Sequence, residues 1–71
     1  MLSKQITKLR KKQGMSQSQL AKELNVSPST IGMYEQGRRV PELKIVLAMA
    51  RLFNVSLDYL VTGKEFVGRT D

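Results

Sequence analysis

A gap of three residues constrains this chain more than any other feature. Only Asn25, Val26 and Ser27 separate a helical pattern ending at Leu24 from another beginning at Pro28. The first pattern opens at Ser16, and Gln19 three residues on completes a capping box, in which each residue satisfies a backbone N–H that the first turn leaves free. Leu20 and Leu24 then lie one turn apart, with Ala21 beside them. After the gap, Ser27 is an N-cap and Pro28 occupies the first helical position, where its missing N–H costs nothing. Asn25 is the expected stop of the first helix, because Asn tolerates the left-handed conformation better than most residues. Two helices joined this closely cannot lie antiparallel side by side. They must cross steeply, which is the geometry of a helix-turn-helix with a projecting second helix. Ala21 is small enough for close approach, Val26 fills the turn, and Leu20 and Ile31 clamp the pair.

The remaining punctuation predicts three more helices. One begins after Ser3 and ends near Gln13, with Gly14 as the left-handed stop and Leu2, Ile6 and Leu9 as its apolar stripe. The projecting helix ends at Gln36–Gly37. Another starts after Pro41 and runs to about Phe53, stopped by Asn54; Ser56 caps the last, Leu57 to Thr62, which Gly63 closes. No segment carries a strand pattern. The expected fold is all-α and five-helical, one domain over residues 1–63 followed by a short tail, KEFVGRTD, over 64–71.

The segment ELKIVLAMARLFN is apolar at nine of its thirteen positions. Leu43, Val46, Leu47, Ala50 and Phe53 make its expected core stripe, with Ile45 and Leu52 opposite. So small a domain cannot wrap a helix that is apolar nearly all round, so a surplus apolar face implies a partner surface. A homodimer is the simplest partner, with Ile45, Leu52, Tyr59, Val61, Phe66 and Val67 as candidate interface residues.

Charge divides the chain. Residues 1–40 hold eight basic side chains against Glu23 and Glu35, whereas residues 41–71 hold four of each sign, so the whole net charge of +6 lies in the first part. A basic half joined to a neutral half fits one face meeting a polyanion and the other meeting protein. Catalysis is disfavoured: there is no His and no Cys, so the commonest general base and the thiol nucleophile are missing. The carboxylates fall in no metal-ligand spacing, and neither a cofactor nor a metal is expected. No stretch approaches the roughly 20 apolar residues that cross a bilayer. The basic N-terminal segment lacks the apolar block of a signal peptide, so a cytoplasmic place is expected.

The run QSQLAKELNVSPSTIGMYEQGRRVP, continuing through LFNVSLDYL, resembles the lambda-repressor-like family of the Cro/C1 or XRE type. The resemblance covers about residues 3 to 62 and rests on Gln17, Leu20, Ala21, Val26, Ser27, Ile31, Tyr34, Glu35 and Gly37 together; Asn25 stands where the family often has Gly. It implies double-stranded DNA as partner, read in the major groove by the start of the projecting helix: Pro28, Ser29 and Thr30, followed by Gly32 and Met33. It also implies that Gln17 clamps a phosphate.

Helical phase supports the same face. With Ile31 taken as the inward direction, Ser29, Met33 and Gln36 point outward and Gly32 lies on the flank, while Tyr34 and Glu35 turn inward. Ser29 and Gln36 could hydrogen-bond base edges and Met33 could touch a thymine methyl. Gly32 lets backbone approach the groove wall, or is simply tolerated at about 1 kcal/mol relative to Ala. Phosphate contacts are expected from the free N–H groups at Ser16 and Gln17, from Gln36, and from Arg38 and Arg39 in the following loop. Arg10, beside the stripe of the first helix, and Glu35 both face inward, so they should pair; the resemblance implies the same pair. The most direct functional expectation is a transcriptional regulator, by default a repressor on a palindromic operator. The other open reading is an antitoxin or adaptor whose main partner is another protein.

Overall fold

The computed structural model describes residues 1–65. Five helices follow one another, α1 (Leu2–Lys12), α2 (Gln17–Leu24), α3 (Pro28–Glu35), α4 (Leu43–Phe53) and α5 (Leu57–Thr62), with no strand among the described residues. Among the described residues, no helix is long and apolar enough to cross a membrane.

One device ends four of the five helices. At Gly14, Asn25, Gly37 and Asn54 the backbone turns left-handed, with φ of 70°, 59°, 73° and 57°. In each case the next N–H reaches back to a carbonyl five residues earlier: Met15 to Arg10, Val26 to Ala21, Arg38 to Met33 and Val55 to Ala50, all within 2.9–3.1 Å. This is the Schellman motif, which usually seats an apolar residue just beyond the left-handed one. Met15, Val26 and Val55 fill that place and pack against the core. At the end of α3 it is held by exposed Arg38 instead, so the motif fixes the backbone from which a cation extends beside the projecting helix.

The N-caps form as the sequence predicts at three helices. Ser16 Oγ accepts from the Gln19 N–H at 3.0 Å while Gln19 Oε1 accepts from the Ser16 N–H at 2.7 Å. Ser27 and Ser56 cap α3 and α5. The first helix differs: it begins at Leu2, with Met1 as its cap residue and no side-chain cap. Ser3 lies inside it, because Leu2 packs against the core and carries the helix back past the serine.

Ile6, Leu20, Ile31, Met49 and Leu60 are fully buried, one from each helix. Burying such side chains contributes about 1.5–3 kcal/mol apiece against leaving them exposed. α2 packs chiefly on α3, and α1 bridges α3 to α5. Two side-chain amides hold α1 in place: buried Gln5 Nε2 donates to the Tyr59 carbonyl in α5 at 3.0 Å, and exposed Gln13 Nε2 to that of Phe53 at the end of α4 at 3.4 Å.

The phase of α4 departs from expectation. Its buried residues are Val46, Met49, Ala50 and Phe53, with Ile45 and Leu52 half-buried against the core. Leu43 and Leu47, expected inside, are 67% and 37% exposed. With apolar residues on both flanks, periodicity defined the helix but not its rotation, and Met49, flexible enough to fill an irregular gap, took the centre. Ile45 and Leu52 are therefore core-packed, and so is half-buried Tyr59. Val61 is 39% exposed, as is Leu57. Phe66 and Val67 lie outside the described residues.

Candidate nucleic-acid interface

The orientation of α3 is held from beneath by a charged cluster. Arg10 on α1 donates through Nε to Glu35 Oε2 at 2.5 Å and through Nη2 to Glu35 Oε1 at 3.2 Å, a bidentate pair. Its Nη1 donates to the Met15 carbonyl at 2.8 Å, in the turn before α2. One guanidinium thus ties α1, the α1–α2 turn and the end of α3. The two side chains are only 11% and 8% exposed, so each charge depends on the other for solvation. Gln17, at the start of α2, donates through Nε2 to Glu35 Oε1 at 3.0 Å. Burial pushes the Glu35 carboxyl up, but hydrogen bonds from Arg10 and Gln17, the charge of Arg10 and the Thr7 hydroxyl outweigh it, and its pKa lies below the ordinary 4.5.

Above this cluster α3 turns a mixed surface outward. Pro28, Ser29 and Gln36 are exposed; Gly32 and Met33 are half-buried. Thr30 is half-buried too: its hydroxyl lies 2.8 Å from Ser27 Oγ, which also accepts the Thr30 N–H at 3.1 Å. The Thr30 hydroxyl is therefore engaged with the cap rather than turned freely outward. Ser16 and Gln17, both exposed, lie at the α2 N-terminus, brought against α3 by the Gln17–Glu35 bond. Arg38 and Arg39 are exposed just beyond α3. Arg39 borders a small hollow shared by Leu2, Tyr34 and Pro41, so the loop after α3 rests on the start of α1.

Gln17 and Glu35 carry the point that sequence reasoning missed. Phase predicted that Glu35 faces inward, and the resemblance marked Gln17, but nothing linked them. Their contact crosses two helices, and periodicity within either helix is blind to it. Buried Gln5 was missed as well; its one local signal is a place one turn before Leu9, where a core-side neighbour is expected.

A short cap-defined α2–turn–α3 unit, locked onto a first helix by an Arg–Glu pair and closed by two further helices, defines a five-helix, lambda-repressor-like helix-turn-helix fold. The helix-turn-helix family model matches residues 6–60, and the chain belongs to that family. It is 35% identical over 68 residues to the HTH-type transcriptional regulator ImmR of Bacillus subtilis (strain 168), covering 96% of this chain and 53% of that protein. It is 38% identical over 66 residues to an uncharacterized HTH-type transcriptional regulator of Archaeoglobus fulgidus, covering 90% and 94%. Among solved structures, the P22 c2 repressor in complex with a synthetic operator superposes with a TM-score of 0.83 at 30% identity, covering 90% of this chain and 97% of that one. The chain spans about half the length of several curated relatives it matches, ImmR among them.

Proposed function

We propose that this chain is a sequence-specific, double-stranded DNA-binding transcriptional regulator that acts from the cytoplasm, on the nucleoid, without chemistry of its own. The observation that carries this reading is the Arg10–Glu35–Gln17 cluster. It fixes the angle of α3 while leaving Pro28, Ser29 and Gln36 exposed, with Arg38 and Arg39 at the edge. A helix set rigidly over a buried ion pair, with a hydrogen-bonding face and a basic rim, suits a groove whose walls are phosphate and whose floor offers donors and acceptors.

The division of labour follows. Pro28, Ser29, Thr30, Gly32 and Met33 meet bases or approach them closely; Ser16, Gln17, Gln36, Arg38 and Arg39 meet phosphates. Residues 1–63 are the DNA-binding unit. Two copies bind a palindromic site about one helical turn between half-site centres, roughly 34 Å. Their contact buries the exposed apolar side chains Leu47 and Leu57, which line one groove bordered by α1, α4 and α5, together with Val61. Occupancy of a promoter then represses, and the P22 c2 protein in complex with operator is named a repressor.

The test is selection from a random duplex pool at two salt concentrations. A recovered palindrome, bound with steep salt dependence, is the expected result. Weak, sequence-independent binding lost at physiological salt would overturn the reading and favour a protein partner instead.

A further inference from the structure

Residues 1–40 carry eight cations, but the fold does not gather them around α3. Arg10 is spent on Glu35, and Arg38 and Arg39 stand just beyond the proposed reading helix. Four of the others, Lys4, Lys8, Lys11 and Lys12, lie exposed on α1. At about 100° per residue, Lys4, Lys8 and Lys11 fall within about 60° of one another, on the side opposite Ile6. Lys12 lies one step round and borders the groove beside α4 and α5. No acidic residue occurs in α1, and among the described residues none of these lysines forms an ion pair.

α1 meets α3 through Arg10 and α5 through Gln5, on either side of buried Ile6. Its lysines face away from both neighbours. α1 and α3 turn their buried sides to each other across the Arg10–Glu35 pair, so the lysine stripe and the outer face of α3 point apart. What could cover the stripe follows from its chemistry. A lipid surface is excluded, because Leu2, Ile6 and Leu9, the apolar residues that an interfacial helix would insert, are packed into the core. A protein partner is disfavoured: interface centres are poor in Lys and rich in aromatic anchors, and the stripe has no anchor. A phosphate backbone fits. Lys4 to Lys11 span about 10 Å of helix, over which one strand of B-DNA presents about three phosphates. Lys, a point charge on a flexible stem, suits contacts that carry no sequence information. A duplex seated on α3 does not curl back round so small a domain, since DNA is stiff over about 150 bp.

We propose that the outer face of α1 is a second, sequence-independent duplex-binding surface, through which a domain seated on its site holds another segment of DNA. This rests on the DNA-binding reading and adds to it a bridging activity.

The experiment immobilises the duplex recovered by selection, saturates it with protein, washes, and measures capture of a labelled duplex of unrelated sequence. The parent is compared with the triple variant Lys4→Gln, Lys8→Gln, Lys11→Gln, and with a control, Lys22→Gln, Lys44→Gln, Lys64→Gln, that removes the same charge elsewhere. Capture by the parent should fall steeply as salt rises, and the α1 variant should capture at least about tenfold less. Its affinity for the immobilised site should stay within about twofold of the parent's, and the control should capture as the parent does. Undiminished capture by the α1 variant overturns the inference, as does an equal loss in the control. A matching loss of affinity for the immobilised site would place the lysines on the first duplex and overturn the second. Polyglutamate displacing the labelled duplex at lower charge concentration than unlabelled duplex does would overturn the assignment to DNA in favour of an acidic protein. A parent that selects no duplex at all overturns the DNA-binding reading and this inference with it.

Discussion

Arg10 and Glu35 show how much a single pair can decide. Both lie on inward faces by helical phase, and a buried charge without a partner is too costly to keep, so their meeting was legible from residue positions alone. The third arm was not: Gln17 joins Glu35 across the α2–α3 packing, which only the tertiary arrangement creates. Replacing Glu35 with Ala leaves Arg10 buried without its carboxylate and should cost about 3–5 kcal/mol, measured by denaturant unfolding. Acid should act on the same pair. The Glu35 pKa is lowered on folding, so the folded state binds the proton less readily than the unfolded chain does. The stabilisation is complete above the unfolded value and is lost as pH falls from about 4.5 through the lower folded value. Thermal melts should show this extra acid loss in the parent, and a smaller one in Glu35→Gln.

Elements were legible where capping chemistry is local. Ser16, Ser27 and Ser56 begin helices, and Gly14, Asn25, Gly37 and Asn54 end them, because each acts through hydrogen bonds or dihedrals within a few residues. The rotation of α4 was not, because Leu43 and Leu47 compete with Met49 for the interior and only packing chooses between them. The start of α1 escaped for a related reason: burial of Leu2 outweighed the capping preference of Ser3. The turn between α2 and α3 offers a direct test of the local account. Asn25, at φ 59° and ψ 43°, is tolerated there, whereas Ala lacks both the flexibility of Gly and the local hydrogen bonding of Asn. Asn25→Ala should destabilise by about 1 kcal/mol and Asn25→Gly should be neutral or stabilising, read as shifts in the midpoint of unfolding. Reversal of that order would mean that the turn is not held by its left-handed residue.

At the scale of the whole molecule, charge and apolar exposure separate the proposed tasks. Arg38 and Arg39 stand exposed beyond α3, and the backbone of Arg38 is tied to the Met33 carbonyl at 2.9 Å. A cation whose backbone is placed by a helix-ending motif stands within reach of a phosphate, so much of its contribution should appear as counterion release. Leu47 and Leu57 line a groove that includes no residue of α3 or of the loop after it, and a charge introduced there should break self-association without touching the reading face. Two variants therefore separate the tasks. In Arg38→Ala the salt slope of operator binding should fall by about one for each half-site, with affinity lowered similarly for all sequences and the dimer intact. In Leu57→Lys the helical content should persist, sedimentation should report monomers at concentrations where the parent dimerises, and affinity for the full palindrome should fall towards that for one half-site. The two losses have different physical origins, one electrostatic and one from linked association, so in the double variant Arg38→Ala should cost about half of what it costs the parent, because a monomer on one half-site makes one such contact where a dimer makes two. A dimerisation constant weakened by Arg38→Ala alone would place Arg38 in the dimer contact and give the basic rim a second role.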